Sequence, residues 1–431
     1  MKKVALSVVL LGLIGVVLVT PANAQPSPPG SNSVSEWNQL ALNAVRLKRA
    51  SDADAARLYA ILDVAIYDAV NGIQNGNPRQ TRTHALVAES GPHDADPEAA
   101  AVSAAHTVLV ALDADRNALY DDTFAADLAG IRPGHHRDAG VSWGEHVGRV
   151  VVAARADDGA TPVETQPAGA GPGVFPLAWS GVQYRNVRPF AIADPTQFVL
   201  GSPPPLDSLD YAAAFAEVAL LGNAAIPAPD KSATFQYWSL PAGSDQPPGE
   251  WVKVALAVAA TRDLSLGDAA RLLALLTMAE ADTTVATVGT KFANRHWRPA
   301  QAIPQADVDG NPLTVADASW RPRGGNAGSP EWVSGHSSYS GAASTVLAGF
   351  FCTDGIPFDL VTDTAPGGQV RSYPSFSAAA AEAGRSRVYG GLHFEFSNQA
   401  GLKLGHDVAG EVLANTLLLT NGRTHFGACP L

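Results

Sequence analysis

Three short segments in the second half of the chain carry residues able to hold and transform an anion. Lys291 and Arg298 stand seven residues apart, with Pro299 directly after the arginine. On one helix that spacing is nearly two turns, so both side chains would project from one face, and the proline would end the helix. Two cations on such an edge can grip a tetrahedral anion, the arginine through its planar fork and the lysine as a point charge. Ser334-Gly335-His336 then precedes an apolar run containing Ala342, Ala343, Val346, Leu347 and Phe350. A glycine at a helix start exposes backbone N–H groups to an anion, Ser334 adds a hydroxyl, and His336 can transfer a proton near neutral pH. The third segment holds Arg387, the pair Gly390-Gly391, and His393. Its histidine has the chemistry of a nucleophile toward phosphorus or of a ligand to a metal oxyanion. Each segment alone also fits an ordinary role: a solvated cation pair at a helix end, a serine cap, a core histidine.

The elements around these segments read as helices. Leu58, Ile61, Leu62, Ala65, Ile66, Ala69 and Val70 form an apolar stripe at helical spacing, closed by Asn71-Gly72. Asp96-Pro97 reads as a cap and first helical residue, opening an Ala/Val-rich helix to about Leu112. Further helices are expected near 117–130, 139–157, 208–222, 249–262, 266–296, 335–352 and 397–419. Pro and Gly recur from Gly159 to Leu206 and from Pro299 to Trp332, which marks two long surface connections. Strand signals are few and short. The expected fold class is all-α, two helical bundles with long structured loops and the site on the C-terminal bundle. An N-terminal helical domain over 35–206 and a C-terminal one over 207–431 are expected.

Composition limits the partners. The net charge of −12 argues against nucleic acid and anionic membrane surfaces, so an anion site must be a local cationic pocket. Lys2 and Lys3, the apolar run Val4–Val19 and Pro21-Ala22-Asn23-Ala24 resemble a cleaved secretory signal over residues 1–24. A Pro/Ser/Gly leader at 25–34 is expected to be disordered. No later run reaches the ~20 apolar residues of a spanning helix, so a secreted or periplasmic protein without stable membrane insertion is expected. Cys352 and Cys429, the only cysteines, are expected to pair.

Taken in order, Lys291-x6-Arg298-Pro299, Ser334-Gly335-His336 and Ser386-Arg387-x5-His393 resemble the signature of the type 2 phosphatidic acid phosphatase and vanadium-dependent haloperoxidase superfamily. The helix around Tyr67-Asp68-Ala69-Val70-Asn71 and the segment from Pro203 to Tyr211-Ala212 look like bacterial haloperoxidase members. The resemblance implies that Lys291, Arg298, Ser334, Gly335 and Arg387 hold the oxygens of vanadate, with phosphate able to occupy the same place. It implies His393 as the axial ligand to vanadium, His336 as the acid–base group, and Lys291 as the group that polarises the oxidant. Hydrogen peroxide, a halide and a small organic acceptor would be the reactants; a homodimer stays open.

The alternative within this superfamily is a secreted acid phosphatase, in which His393 attacks phosphorus and His336 protonates the leaving group. Ser397 stands where phosphatases often carry the aspartate that orients that histidine. On this reading the nucleophile loses its charge support, which favours haloperoxidase. A non-catalytic oxyanion binder would not need two histidines so placed. Val333 replaces the usual proline. Ser329 falls where the family has a residue linked to halide preference. Trp297, Trp332 and Phe394 are candidates for the pocket wall or for the core. Asp282 is a candidate partner for one arginine, although on an ideal helix it faces away from Lys291.

Overall fold

A computed structural model describes residues 33–74 and 82–419. The expected signal segment, most of the leader and Cys429 lie outside these residues. Among the described residues thirteen α-helices and two pairs of short strands form the structure, which is all-α as expected.

The N-terminal half packs α1 (Ser33–Lys48), α2 (Asp52–Gln74), α3 (Pro97–Leu112), α4 (Asn117–Gly130) and α5 (His135–Ala156). Ser33 and Val34, assigned by composition to the leader, are buried in the first turn of α1. The apolar stripe of α2 is buried throughout. Asn71-Gly72 does not end that helix, because Trp143 of α5 packs on Gly72 and donates its indole N–H to the Ala69 carbonyl at 2.9 Å. Tertiary packing here overrides local propensity. Asp96 caps α3 as expected, its carboxylate accepting from the Ala99 amide at 2.9 Å.

The 159–206 connection is irregular apart from strands β1 (Thr165–Gln166) and β2 (Trp179–Ser180), antiparallel with Thr165 opposite Ser180, and short 3-10 turns. Then follow α6 (Leu209–Leu221), α7 (Pro229–Tyr237), α8 (Gln246–Thr261) and α9 (Leu266–Asn294). α9 is long and apolar enough by composition to cross a membrane, contrary to the reading of the sequence, but it is the central core helix. α2 packs on it from the first half, α11 (Gly335–Phe351) and α13 (Glu395–Asn415) from the second. Three of its buried threonines bond within the helix: the Thr277, Thr284 and Thr290 hydroxyls donate to carbonyls four residues back. One apolar cluster runs from Val34 through α2, α9 and α11 to Leu417.

α10 (Pro299–Ala302) and α12 (Phe376–Tyr389) complete the helices, and β3 (Phe358–Leu360) pairs antiparallel with β4 (Arg371–Tyr373). α11 and α13 cross at glycines. A side chain at Gly405 would put its Cβ 1.9 Å from the Ser338 carbonyl oxygen, and one at Gly341 would lie 2.1 Å from that of Leu402. This close crossing brings the first turn of α11 beside the chain entering α13, where His336 and His393 respectively stand. Cys352, at the end of α11, is disulfide-bonded.

A candidate oxyanion site

Five of the seven sequence-derived residues, Lys291, Arg298, His336, Arg387 and His393, act on one another, and Ser334 and Gly335 adjoin His336 in the chain; the scaffold differs in part from the expected one. Lys291 lies in the last turn of α9, but the helix stops at Asn294, with Arg295 left-handed as its cap at φ 46°. Arg298 is therefore not on the helix of Lys291. It sits in extended backbone as the residue before α10, and Pro299 opens that helix instead of ending α9. Arg387 rides the last turn of α12, a helix absent from the sequence reading. Its signals were present: Ser375 caps it by accepting from the Ala378 amide, and an alanine-rich run follows. Ser334 caps α11 as expected, so that Gly335 is the first helical residue.

The three cations are buried, with 5–6% of each residue exposed. Their partners are mostly carbonyl oxygens. Lys291 Nζ donates to the Pro330 carbonyl at 2.5 Å and, at 3.5 Å, to that of Glu331. Arg298 donates to the Ser329 carbonyl (2.9 Å), the Leu392 carbonyl (2.9 Å) and His393 Nε2 (2.7 Å). Arg387 donates to the Trp238 carbonyl at 3.1 Å and lies over the Phe235 ring, while its buried Nε has no hydrogen-bond partner. Burial, then repulsion from Arg298, pushes the Lys291 ammonium well below the ordinary lysine range. Burial lowers Arg298 to about 10, and burial with repulsion from Arg298 lowers Arg387 to about 9. Clustered, desolvated cations of this kind are relieved by an anion.

Both histidines are held neutral. Burial, then Arg387, pushes His336 well below the usual imidazole value, and its Nε2 lies 3.2 Å from the Ser239 carbonyl. Burial, then Arg298, does the same to His393. Here one expectation is overturned. The charge support thought lost at Ser397 is supplied by Glu331, whose Oε1 lies 2.9 Å from His393 Nδ1. Ser397 Oγ stands further off, at 3.3 Å. Glu331 is fully buried; burial opposes its ionisation, but hydrogen bonds from His296 and His393 outweigh this and hold its carboxyl far below the ordinary range. Glu331 was missed in the sequence, although it stands three residues before Ser334. Ser397 therefore does not separate the two activities.

Asp52, at the start of α2, was also missed. It lies beside the first residue of α11: a Cβ on Gly335 would be 3.7 Å from its Oδ2. Burial raises its carboxyl, while the Ala53 amide and Lys291 act the other way. Ser329 does border the site, its carbonyl and hydroxyl both facing Arg298. Trp297 and Phe394 belong to an apolar cluster with Tyr211, Val388 and Ile303, and Trp332 packs in the main core with its indole N–H on the Gly201 carbonyl. The core reading holds for all three. Asp282 pairs with none of the site arginines. It accepts from the Phe190, Ala191 and Ile192 amides at 2.6–2.9 Å and so anchors the long connection onto α9.

One other group of acids approaches metal-ligand spacing among the described residues: Asp245, Glu250 and Asp363. Lys253 Nζ lies 3.3, 2.8 and 3.4 Å from their oxygens and already fills the place of a cation.

Residues 271–422 match the family model described as the VCPO second helical-bundle domain. This stretch carries all seven site residues. No curated protein matches the chain in sequence. Among solved structures, the chain is similar to the first bacterial vanadium-dependent iodoperoxidase, with a TM-score of 0.76 and 23% identity over 89% of this chain and 95% of that one. It is also similar to a bacterial vanadium-dependent chloroperoxidase in its holo form (TM-score 0.64, 16% identity, 84% and 92% covered) and apo form (TM-score 0.62, 16% identity, 83% and 91% covered).

Proposed function

We propose that this chain is a vanadium-dependent haloperoxidase, oxidising halide with hydrogen peroxide to a hypohalous acid equivalent that is passed to a small organic acceptor. The observation that carries the reading is the cluster of Lys291, Arg298 and Arg387, buried cations that face carbonyl oxygens, with Arg298 also donating to His393 Nε2. The match of 271–422 to a haloperoxidase bundle and the likeness to iodo- and chloroperoxidase structures favour it over phosphate-ester hydrolysis.

The residues fit vanadate. The orphan Arg387 Nε, the Ser334 hydroxyl and the Gly335 amide, which as a first-turn N–H has no acceptor within its helix, would supply donors for the oxygens of the anion. Lys291 and Arg298 would add charge, and His393 Nε2 would be the nitrogen that holds the metal. When bound, the vanadate centre supplies Lewis-acid activation of peroxide without a change of oxidation state. Arg298 Nη1 must release His393 Nε2 for that ligation, and an anion in the pocket gives its fork a better acceptor. His336, neutral and with Nε2–H directed at the Ser239 carbonyl, keeps Nδ1 as the base that takes the proton of incoming peroxide. Lys291, held by the Pro330 carbonyl, would place a donor and a positive charge beside the bound group. Phosphate is expected to compete for the same donors.

A paired assay on the purified chain tests this. Vanadate-loaded protein is expected to halogenate a diketone with peroxide and bromide or iodide. Fast phosphate-ester hydrolysis that vanadate blocks, without vanadate-dependent halogenation, would overturn the reading in favour of the phosphatase.

A further inference from the structure

We propose that Glu331 is the positioning residue for His393, and that it shares its carboxylate with His296. The inference rests on the reading above only in taking His393 Nε2 as the nitrogen that meets the bound centre. An imidazole has two nitrogens, and the neutral ring can offer a lone pair from only one of them. The partners at its two ends decide which. A guanidinium only donates, so the 2.7 Å contact from Arg298 requires the lone pair at Nε2. A carboxylate only accepts, so the 2.9 Å contact to Glu331 Oε1 places the proton on Nδ1. Both constraints select one tautomer, with its basic nitrogen facing Arg298.

Glu331 is itself fixed from several sides. Oε1 also accepts the Phe394 amide at 3.0 Å, which ties the carboxylate to the backbone next to His393. Oε2 faces His296 Nδ1 at 3.3 Å, and the Glu331 amide donates to the His296 carbonyl at 2.8 Å. The Pro330 and Glu331 carbonyls receive the Lys291 ammonium. One residue thus joins His393, the segment leading to Arg298 and Lys291. Ser397, at 3.3 Å from both His393 Nδ1 and the Glu331 carbonyl, is the lesser support. A hydrogen-bonded carboxylate behind a ligating histidine both orients the ring and strengthens its donor nitrogen.

Two measurements on the full chain test the proposal without using peroxidase activity. Nitrogen-15 NMR of the imidazoles in vanadate-free protein should show His393 as the Nδ1–H tautomer; an Nε2–H ring would overturn the proposal. Calorimetric titration with orthovanadate should show binding weakened about 10- to 100-fold in Glu331→Gln, with inorganic phosphate weakened less, because phosphate takes no axial nitrogen. A folded Glu331→Gln protein that binds orthovanadate unchanged would also overturn it. If that variant does not fold, the tautomer of the unsubstituted protein decides alone. A chain that fails to oxidise halide but passes both tests loses the haloperoxidase reading and keeps this one.

Discussion

At the scale of single residues, the site consists of donors that need an acceptor. Lys291, Arg298 and Arg387 are desolvated, and one arginine nitrogen has no partner at all. His336 is proposed to have a separate task. Its hydrogen bond is to the Ser239 carbonyl and not to one of the cations. Replacing His336 with alanine is therefore expected to lower halide oxidation by about 10²- to 10⁴-fold, the usual worth of a general acid–base group, while vanadate binding stays close to that of the unsubstituted protein. Steady-state rates measured across a vanadate titration check this. An equal loss in rate and in affinity would make His336 a holding residue instead. The seven residues were legible because they sit in three local motifs with recognisable types and spacing. Glu331 and Asp52 were not, because their roles arise from neighbours distant in sequence: His393 is 62 residues from Glu331, and Asp52 meets Gly335 only through the packing of α2. The serine at 397 was read correctly as uncharged, but the inference drawn from it failed since a carboxylate arrived from another loop.

At the scale of elements, the spacing Lys291-x6-Arg298 looked like one helical face and is in fact a helix end followed by a turn. The left-handed Arg295 breaks the helix, and Pro299 is better placed at the start of a helix than after one. Both cations still reach one pocket, since the turn folds Arg298 back toward His393. Most of the longer helices, with approximate bounds, were legible from apolar periodicity and caps. α1 and α7 were not among the expected helices, and α12 was not recognised, since it lies between two glycine-containing loops and its alanines give a weak amphipathic contrast. The packing of α1, α2 and α9 also carries a buried acid. Asp63 of α2 is fully buried with Asn38 donating to it at 2.7 Å, and burial pushes its carboxyl up to about 7. A carboxyl raised in the folded state binds its proton more tightly there than in the unfolded chain. Its contribution is complete below the ordinary carboxylate range and is lost as pH rises toward about 7. Unfolding free energy should thus fall between pH 4 and pH 8, by about 4 kcal/mol from this group. Asp63→Asn should reduce that slope in urea denaturation, while Glu280, Glu250, Asp245, Asp282 and Asp127, also raised by burial, continue to contribute. An unchanged slope would show that Asp63 does not titrate in this window.

At the scale of the whole molecule, an acidic chain of net charge −12 concentrates three buried cations in one pocket. α9 makes this arrangement possible by serving both halves: α2 packs on one side, α11 and α13 on the other, and Asp282 anchors the long connection. The all-α class was legible from composition and periodicity. The continuity of the core across the two halves was not, because it depends on which faces of α9 are used, and nearly all of them are. The central claim is that halide oxidation depends on vanadate held at His393 and its surrounding cations. Its most direct test is the rate of iodide or bromide oxidation by peroxide, titrated with vanadate, for the unsubstituted chain and for His393→Ala. The account predicts no activity without vanadate, saturable activation with it, and none in the variant at any vanadate concentration. Oxidation that needs no vanadate, or that survives the loss of His393, would contradict it.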